Sequence, residues 1–449
     1  MKIFRLTAIL AAMLLVLAAC QGGGGASPTG DGATEPPPPT GEESPIAGDG
    51  DGDAASACEE DEFGCATYGP DEPIRIASAL SITGDTAFLG NDSNYGIQVA
   101  IQDRGQILGH DVELVEEDAG CGEAEDGQTA AVAIAADDTI LAVIGTTCSR
   151  TAVPAIPVLA EAGMLMMSPS NTAISLTDPE HPDYPESGNE WFTRTAYSDF
   201  FQGDADARFA CEELQISTAA TIHDGSPYAE QLQQAFLDQF AERCDGQMTF
   251  QGSINVGDTD FRQLLTEIAG SNDGGAPDIL FFPVFSPEGP LIAQQAQEVE
   301  GLEDTILMGA DGLKDAGFIE AAGDIAEEVG MYFSGPLPPS GEAYEEFLTK
   351  YQDVSGEEVP IAPYHAHAYD AAMIFFDAIE AVAIEEDDGT IHVPRTAFRD
   401  QVRSLENYEG LTGTLACNEM GDCGDTSVEV AQLQDGRFVE VWTSDEPEQ

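Results

Sequence analysis

The chain has 449 residues, of which 42% are hydrophobic and 8% aromatic, enough to bury real cores and to exclude disorder along its whole length. Its 83 acidic and 15 basic residues give a formal net charge of -68 at pH 7, which excludes nucleic acid and anionic membrane surfaces as electrostatic partners. Because the acids are scattered, a solvated surface suited to high salt explains them better than a store for cations.

The chain begins with an apolar run over residues 8–19, which follows Lys2 and Arg5. The run is shorter than the ~20 residues that a membrane-spanning helix needs, so residues 1–19 are predicted to be a cleaved signal peptide. Its ending at residues 17–20, LAAC, resembles a bacterial lipobox. That resemblance implies lipidation of Cys20 and an extracytoplasmic protein anchored to the cell membrane, in a periplasm or on the outer face. The alternative is an ordinary secretory signal with Cys20 incidental.

Residues 20–72 are rich in Gly, Pro and acidic side chains, including the runs 22–25 and 36–39. Such a composition buries too little apolar surface to offset the entropy of chain ordering. We therefore expect a disordered acidic tether. A flexible chain of about 50 residues has a typical reach of about 40 Å, which would let the globular part move over a partner in the membrane.

From residue 74 onward, apolar β-rich runs alternate with helical stretches in the order expected of βαβ units. The sequence therefore predicts an α/β protein with two doubly wound parallel-sheet lobes joined by a hinge of several crossings. The predicted strands are 74–82, 111–116, 140–145, 164–167, 218–222, 248–254, 279–284, 306–308 and 330–333, and a β-rich segment, 411–443, closes the chain. The predicted helices are 95–104, 127–136, 153–161, 229–242, 261–269, 290–299, 343–351 and 365–383. Lobe 1 is predicted over 73–197 and 334–410, and lobe 2 over 198–333 and 411–449, with hinge crossings near 196–199, 334–338 and 408–413.

The chain has nine cysteines, and setting Cys20 aside leaves an even number in a compartment that permits disulfides. About a hundred pairings are open to such a set. Metal binding is the rival interpretation, but the chain lacks a CxxC pair and its six His do not fall at ligand spacing, so no metal site is expected. Local spacing favours the pairs Cys58 with Cys65, Cys121 with Cys148, Cys211 with Cys244, and Cys417 with Cys423.

Polar residues follow the predicted strands at their carboxyl ends, where ligands bind in open parallel sheets. Hydroxyls beside free backbone N–H groups at a helix start suit a carboxylate, and a lone acid on the facing lobe suits an ammonium. Together with flanking aromatics, this pattern indicates a free amino acid held by its α-groups. For each hydroxyl alone, helix capping is an equal alternative. The residues are Thr146, Thr147, Cys148 and Ser149; Ser168, Pro169, Ser170, Asn171 and Thr172; and His223, Asp224, Tyr228, Phe285, Ser286 and Asp311.

Several segments in order resemble the leucine/isoleucine/valine-binding protein family, the type I periplasmic binding proteins that serve ABC importers of branched-chain amino acids. The resemblance covers residue 73 to the end and implies the two-lobed fold with no cofactor. The matching segments are residues 81–84 (SITG), 143–149 (VIGTTCS), 166–172 (MMSPSNT), 222–228 (IHDGSPY) and 309–312 (GADG).

The family implies a role for each matching site residue. Ser149 and Thr172 would bind the ligand carboxylate, helped by nearby backbone N–H groups around Thr147 and Cys148. The Ser170 carbonyl, Thr172 and Asp311 would take the ammonium, and Tyr228 would close over the ligand. The family also has a disulfide at the positions of Cys121 and Cys148.

Departures from the family pattern leave the ligand open. Leu89 stands where a tyrosine usually lines the side-chain pocket, with Phe88 beside it and Phe285 on the facing lobe, and Asp311 stands where Glu is common. These changes favour an apolar side chain without establishing leucine. Relatives of the family bind amides, urea and aromatic acids, so those ligands remain alternatives.

The leading hypothesis is a monomeric, lipid-anchored receptor that closes about an amino acid and delivers it to an ABC permease. A sensor that signals through a membrane receptor or kinase is the alternative from another class. An enzyme is not expected, because the chain has no GxSxG, HExxH or P-loop motif. His223 with Asp224 could act as a base and its orienter, but neighbouring residues at a strand end point to opposite faces.

Overall fold

The strands of this computed structural model, which describes residues 50–185 and 187–444, follow the predicted alternation closely. In chain order they are β1 (Cys65–Tyr68), β2 (Ile74–Leu80), β3 (Val112–Asp118), β4 (Ile140–Gly145), β5 (Leu165–Ser168), β6 (Phe192–Arg194), β7 (Thr218–His223), β8 (Gln247–Ser253), β9 (Ile279–Phe281), β10 (Ile306–Gly309), β11 (Tyr332–Pro336), β12 (Ile384–Glu385), β13 (Ile391–Pro394), β14 (Tyr408–Gly410), β15 (Gly413–Leu415), β16 (Val428–Gln434) and β17 (Arg437–Thr443).

Many of the helices connect successive parallel strands, and a short π-helical turn covers Phe209–Glu213. In chain order the helices are α1 (Gly50–Glu60), α2 (Ala87–Arg104), α3 (Ala124–Ala135), α4 (Ser149–Glu161), α5 (Asp199–Arg208), α6 (Pro227–Cys244), α7 (Arg262–Ala269), α8 (Glu288–Ala296), α9 (Ala316–Ala322), α10 (Ile325–Glu328), α11 (Glu342–Ser355), α12 (His365–Val382) and α13 (Arg395–Arg403).

The first lobe is built on a parallel sheet with the strand order β3-β2-β4-β5-β6. Its central strand β4 is apolar apart from its terminal glycine and is buried throughout, as expected of a parallel strand covered on both faces. Side chains of α2 and α12 pack on one face, and those of α3 and α4 pack on the other. This arrangement confirms the predicted doubly wound α/β lobe.

The second lobe has the strand order β17-β16-β11-β10-β9-β7-β8. The strands from β8 to β11 are parallel, whereas β16 and β17 add an antiparallel hairpin at the edge beyond β11. Apolar clusters lie on both faces of this sheet as well. The carboxyl ends of β7, β9 and β10 face the carboxyl ends of the first lobe's strands across the ligand cleft described below.

The predicted lobe boundaries are wrong at two places. Ser334 to Pro336 belong to β11, which pairs with β16 in the second lobe. Residues 411–423 pack with the first lobe: the backbone N–H groups of Leu411 and Thr412 donate to the buried Asp370 of α12 at 2.8 and 2.9 Å, and Leu415 lies in that lobe's core. The last crossing therefore lies between Cys423 and β16, because Asp370 holds the preceding hairpin against α12.

The predicted tether ends earlier than expected, since α1 and β1 lie within the interval 20–72. Strand β1 pairs antiparallel with β13, and Ala66 and Tyr68 are buried in the first lobe's core. The Tyr68 hydroxyl donates to the Thr139 carbonyl at 2.9 Å. The overall composition of residues 20–72 does not reveal β1, because a few alternating apolar side chains are enough to attach a strand to a sheet. The signal peptide, Cys20 and the tether up to residue 49 lie outside the described residues.

Cysteine pairing matches the pairs favoured by spacing. Among the described residues the disulfides are Cys58–Cys65, Cys121–Cys148, Cys211–Cys244 and Cys417–Cys423. The second of these joins the loop after β3 to the residue that precedes α4, so it fixes one wall of the cleft. No helix within residues 50–185 and 187–444 is long and apolar enough to cross a membrane.

Candidate ligand-binding site

A narrow cavity lies between the two lobes at the carboxyl ends of their strands. The first lobe supplies hydroxyls, backbone and an apolar residue, and the second supplies an acid and aromatic rings. Of the residues to which the family pattern gives a place at the ligand, the structure brings together all but Thr172 and Phe88, and it adds Gly312 and Tyr364. The other polar residues that follow the strands, such as Thr146, Asn171 and Ser286, do not line the cavity. The lining residues are Leu89, Thr147, Cys148, Ser149, Ser170, Tyr228, Phe285, Asp311, Gly312 and Tyr364.

The polar wall of the first lobe is shaped by its own hydrogen bonds. Ser170 Oγ donates to the Thr147 carbonyl at 2.9 Å, and Thr147 Oγ1 accepts from the Ser81 N–H at 2.9 Å. Ser149 begins α4, so the first N–H groups of that helix have no intrahelical acceptor and lie beside the cavity. This wall can bind a carboxylate through N–H and hydroxyl groups without a basic side chain.

Thr172 lies behind this wall rather than on it. It is buried, and its carbonyl accepts the Asp199 N–H at 2.8 Å. Because Thr172 is not among the residues that line the cavity, the direct role implied for it by the family pattern stays a prediction.

Asp311 supplies the cavity's negative charge. It lies two residues beyond β10, is 4% exposed, and accepts hydrogen bonds from Tyr228 Oη at 2.8 Å, Gln202 Nε2 at 3.0 Å and Tyr364 Oη at 2.9 Å. Burial raises the pKa of Asp311 above its ordinary value, and the Tyr228, Gln202 and Tyr364 donors offset only part of that rise. An ionised carboxylate offers about four acceptor positions, so Asp311 can still accept from a ligand ammonium.

Tyr228 reaches the cavity because of how α6 begins. Ser226 is the N-cap and its hydroxyl accepts the Ala229 N–H at 3.2 Å, while Pro227 occupies the first turn, where its missing N–H costs nothing. This start sets Tyr228 beside Phe285, with ring centroids 5.1 Å apart. Burial raises the pKa of Tyr228 and of Tyr364 well above the ordinary value, so both phenols stay neutral donors.

Part of the cavity's lining is apolar. Leu89 of α2 and Phe285 of the facing lobe both line it, as the sequence predicts. Phe88 points elsewhere: its ring packs over Gly317, where a Cβ would lie 2.8 Å from it. Phe88 therefore belongs to the contact between the lobes and not to the pocket.

Hydrogen bonds hold the lobes together around the cavity. Ser175 of the first lobe and Gln231 of α6 are joined twice, by Ser175 N–H to Gln231 Oε1 at 2.8 Å and by Gln231 Nε2 to Ser175 Oγ at 2.9 Å. Arg150 donates to the Asp224 carbonyl at 3.3 Å, and the Ala316 N–H donates to the Ile361 carbonyl at 2.9 Å. The structure is thus a closed form.

His223 and Asp224 serve local structure. Asp224 Oδ1 accepts the Ser226 N–H at 2.8 Å and the Ser226 hydroxyl at 2.5 Å, and His223 Nδ1 accepts the Gly225 N–H at 3.2 Å. Neither residue lines the ligand cavity. Their contacts hold the turn that starts α6, so they do not form a base with its orienter. In the described part of the chain, no cluster of His, Cys, Asp or Glu could hold a metal ion.

The cleft continues outward past Phe285 into a wider cavity of about 410 Å³. Acidic side chains from both lobes line it: Asp85, Asp118, Asp126, Asp224 and Glu288. Burial raises the pKa of Glu288, and the nearby Asp224 and Asp85 add to the shift. A ligand therefore approaches the inner cavity through a region of negative potential.

Sequence reasoning missed Tyr364 and Gln202. The prediction considered residues that follow strands, whereas Tyr364 directly precedes α12 and Gln202 lies within α5. The only sequence signal for Gln202 is a polar residue on a helix flanked by Asp199 and Asp206 at helical spacing, where a buried face would normally be apolar.

The sequence matches the family described as periplasmic binding protein over residues 73–437. It is 27% identical over 362 residues to a leucine-, isoleucine-, valine-, threonine- and alanine-binding protein of Pseudomonas aeruginosa, covering 78% of this chain and 87% of that protein. It is likewise 27% identical over 361 residues to a leucine-specific-binding protein of Salmonella typhimurium, covering 78% of this chain and 88% of that protein.

Solved structures agree with this match. A leucine binding protein from Thermotoga maritima superposes with a TM-score of 0.71 at 27% identity, covering 82% of this chain and 98% of that one. An ABC transporter solute binding protein from R. palustris in complex with benzoate has a TM-score of 0.69 at 16% identity, over 83% of this chain and 96% of that one, and so shares the fold. The chain therefore belongs to the periplasmic binding protein family, in its leucine/isoleucine/valine-binding, type I branch.

Proposed function

We propose that the protein is the solute-binding component of an ABC importer and that it binds a free amino acid with an apolar side chain. The observation that carries the proposal is Asp311, a buried carboxylate that faces hydroxyl and N–H groups across one small cavity. An amino acid presents an ammonium for the acid and a carboxylate for the facing hydroxyl and N–H groups. The relatives named above as binding leucine, isoleucine and valine support the same class of ligand.

The walls of the inner cavity and the acidic cavity at its entrance favour a zwitterionic ligand over an anionic one. Leu89 and Phe285 provide an apolar surface for the side chain, while the acidic outer cavity repels a ligand of net negative charge. An aromatic acid would also leave the ionised form of Asp311 without a cation. Aromatic acids, amides and urea are therefore the less favoured ligands, although a relative of the same fold is in complex with benzoate.

Capture would proceed by closure of the lobes about the crossings after Arg194, after Pro336 and before Val428. Lipidation of Cys20, monomeric state and delivery to a membrane permease complete the proposal. A sensor would use the same cavity and the same closure. The two roles differ in the membrane partner, so co-purification with a permease and its ATPase, or with a receptor, separates them.

The direct test is a thermal-shift screen of the chain from residue 20 onward carrying Cys20→Ala, at high and low salt, against amino acids, their amides, urea and aromatic acids. A ligand at 100 times its Kd adds about 2.7 kcal/mol to the free energy of unfolding. We expect the largest shift with an aliphatic amino acid. A shift with aromatic acids or amides alone would retain the binding role and reject the amine contact at Asp311.

A further inference from the structure

Gln202 is completely buried in α5 and connects the ligand-facing acid to two neighbouring groups. Its Nε2 donates to Asp311 Oδ1 at 3.0 Å and to Ser334 Oγ at 2.9 Å. Its Oε1 accepts from the Tyr197 hydroxyl at 3.0 Å. Both ends of the amide are therefore fixed, and the amide can adopt only one orientation toward Asp311.

These partners come from the hinge. Tyr197 lies in the crossing between β6 and α5, and Ser334 lies on β11 just before the chain returns to the first lobe. Gln202 therefore joins Asp311 to two of the segments about which the lobes would move.

The surroundings would otherwise favour a neutral Asp311. Asp199 and Asp206 are buried on the same side of α5 as Gln202. Burial raises the pKa of both well above the ordinary value, and the nearby Asp311 adds to this shift for each. Gln202 places an uncharged N–H donor on Asp311 in the middle of this acidic group, which favours the ionised form of Asp311.

We propose that Gln202 is a positioning residue for ligand binding, which holds the Asp311 carboxylate so that its remaining acceptor position meets the ligand's ammonium group. The inference rests on the proposed function, because it requires a ligand that carries an amine. Gln202 itself does not line the cavity, so its effect on the ligand is transmitted through Asp311.

The test compares Gln202→Met with Gln295→Met in otherwise complete protein. Gln295 is a matched control in the same lobe: it is buried, accepts the Phe261 N–H at 2.6 Å and donates to the Thr259 carbonyl at 2.8 Å, away from the cavity. The probes are L-leucine and its deaminated analogue 4-methylpentanoate, titrated by calorimetry. We expect Gln202→Met to weaken L-leucine about ten- to hundredfold, the loss for one hydrogen bond to a charged group, and not to weaken 4-methylpentanoate, which has no ammonium for Asp311 to bind.

The pH dependence provides a readout that a merely structural role would not move. Leucine binding needs ionised Asp311, so affinity falls as the pH drops through the pKa of Asp311. Loss of the Gln202 donor raises that pKa, so the fall begins at a higher pH in Gln202→Met than in wild type or Gln295→Met. The other titratable groups packed around Asp311 are common to all three proteins: Tyr197, Tyr228, Tyr364, Asp199, Asp206 and the buried Lys314–Glu429 pair.

A milder variant covers the case in which Gln202→Met does not fold. Tyr197→Phe leaves every direct donor to Asp311 in place and removes the hydroxyl that donates to Gln202 Oε1 and also contacts Tyr364. We expect it to weaken L-leucine by a smaller factor, with the same upward shift in pH.

The possible outcomes separate this inference from the proposed function. A folded Gln202→Met with wild-type affinity and pH profile, or an equal loss for both probes, overturns the role of Gln202. If Asp311→Asn abolishes L-leucine binding while Gln202→Met and Tyr197→Phe do not alter it, the amine contact stands and this inference alone fails. If wild-type protein binds none of the amino acids with an apolar side chain, both proposals fail.

Discussion

Tyr364 of the first lobe donates a hydrogen bond across the cleft to Asp311 of the second, with 2.9 Å between Oη and Oδ2. The hydrogen bonding of Asp311 therefore changes on closure, because the Tyr364 hydroxyl reaches it only when the lobes meet. The phenol remains a donor at any physiological pH, since burial raises its pKa well above the ordinary value. Closure and the electrostatics of the ligand site are thus linked through one contact.

Asp311→Asn should weaken binding of an α-amino ligand by about 3 kcal/mol, more than about a hundredfold in Kd, because the ammonium loses its charged partner in a buried site. Calorimetric titration measures the change. The matched control is Asp315→Asn, which removes a buried carboxylate that caps α9 by accepting the Phe318 N–H at 2.7 Å. That control should cost stability and spare affinity. Wild-type affinity in Asp311→Asn would remove the amine assignment.

Gln231→Ala should weaken ligand binding about tenfold, because closure loses the paired hydrogen bonds to Ser175, together worth about 1.4 kcal/mol. We expect the change in the dissociation rate, measured by stopped flow, since the open form must still admit the ligand. Gln234 on the same helix donates to Asp238 at 2.8 Å and not to the first lobe, so Gln234→Ala serves as the control. Small-angle scattering should show less compaction with ligand in Gln231→Ala. Equal dissociation rates in the two variants would show that this contact does not hold the closed form.

Replacing both Cys121 and Cys148 by serine should lower both stability and affinity. The disulfide closes a loop with a sequence separation of 27, which corresponds to about 3–4 kcal/mol in the chain-entropy view, and Cys148 lines the ligand cavity. Replacing Cys211 and Cys244, with a separation of 33, is the matched control, because neither lines the cavity. Denaturant unfolding and ligand titration should show similar stability losses but an affinity loss only in the first variant. An unchanged affinity there would mean that the wall holds its shape unaided.

Asp370 should make stability depend on pH in an unusual direction. Burial raises its pKa from 3.8 to about 6, against the lowering effect of the Thr412 and Leu411 donors. The folded protein therefore retains a proton that the unfolded chain releases, so this contribution is present below about pH 4 and is lost as the pH rises to about 6. The loss is at most about 3 kcal/mol, at about 1.4 kcal/mol per pKa unit.

The variant Asp370→Asn isolates this contribution. Urea unfolding of both proteins between pH 4 and pH 7 should show the wild type losing stability relative to the variant as the pH rises. A constant difference across that range would show that the Asp370 carboxyl titrates at its ordinary pKa when folded.

The sequence predicts which residues share one cleft where a general rule applies. Strands of a parallel sheet deliver their following residues to one edge, so the positions of Ser149, Ser170 and Asp311 after their strands are enough to place them in one cleft. The order of elements likewise predicts both lobes. Tyr364 and Gln202 escape this rule because neither follows a strand. Tyr364 directly precedes α12, and Gln202 lies within α5, where a buried helix face is normally recognised by its apolar pattern.

Helix α2 shows why the predicted ends of helices can be wrong. The prediction starts it at residue 95, yet it begins at Ala87, because its first turns carry Gly90, Asp92 and Gly96 in place of apolar side chains. A Cβ on Gly90 would lie 1.9 Å from the Ser81 carbonyl oxygen, so glycine permits close approach to the loop after β2. Asp92 is buried because it accepts from Tyr351 and from the His365 N–H. Only tertiary structure explains these residues.

Strand β1 has a mechanical consequence. Its pairing with β13 fixes the start of the described chain to the first lobe, and the second lobe is reached only through the crossings. Whatever precedes Gly50 is therefore attached to the first lobe. The second lobe can move toward or away from the first without stretching that attachment.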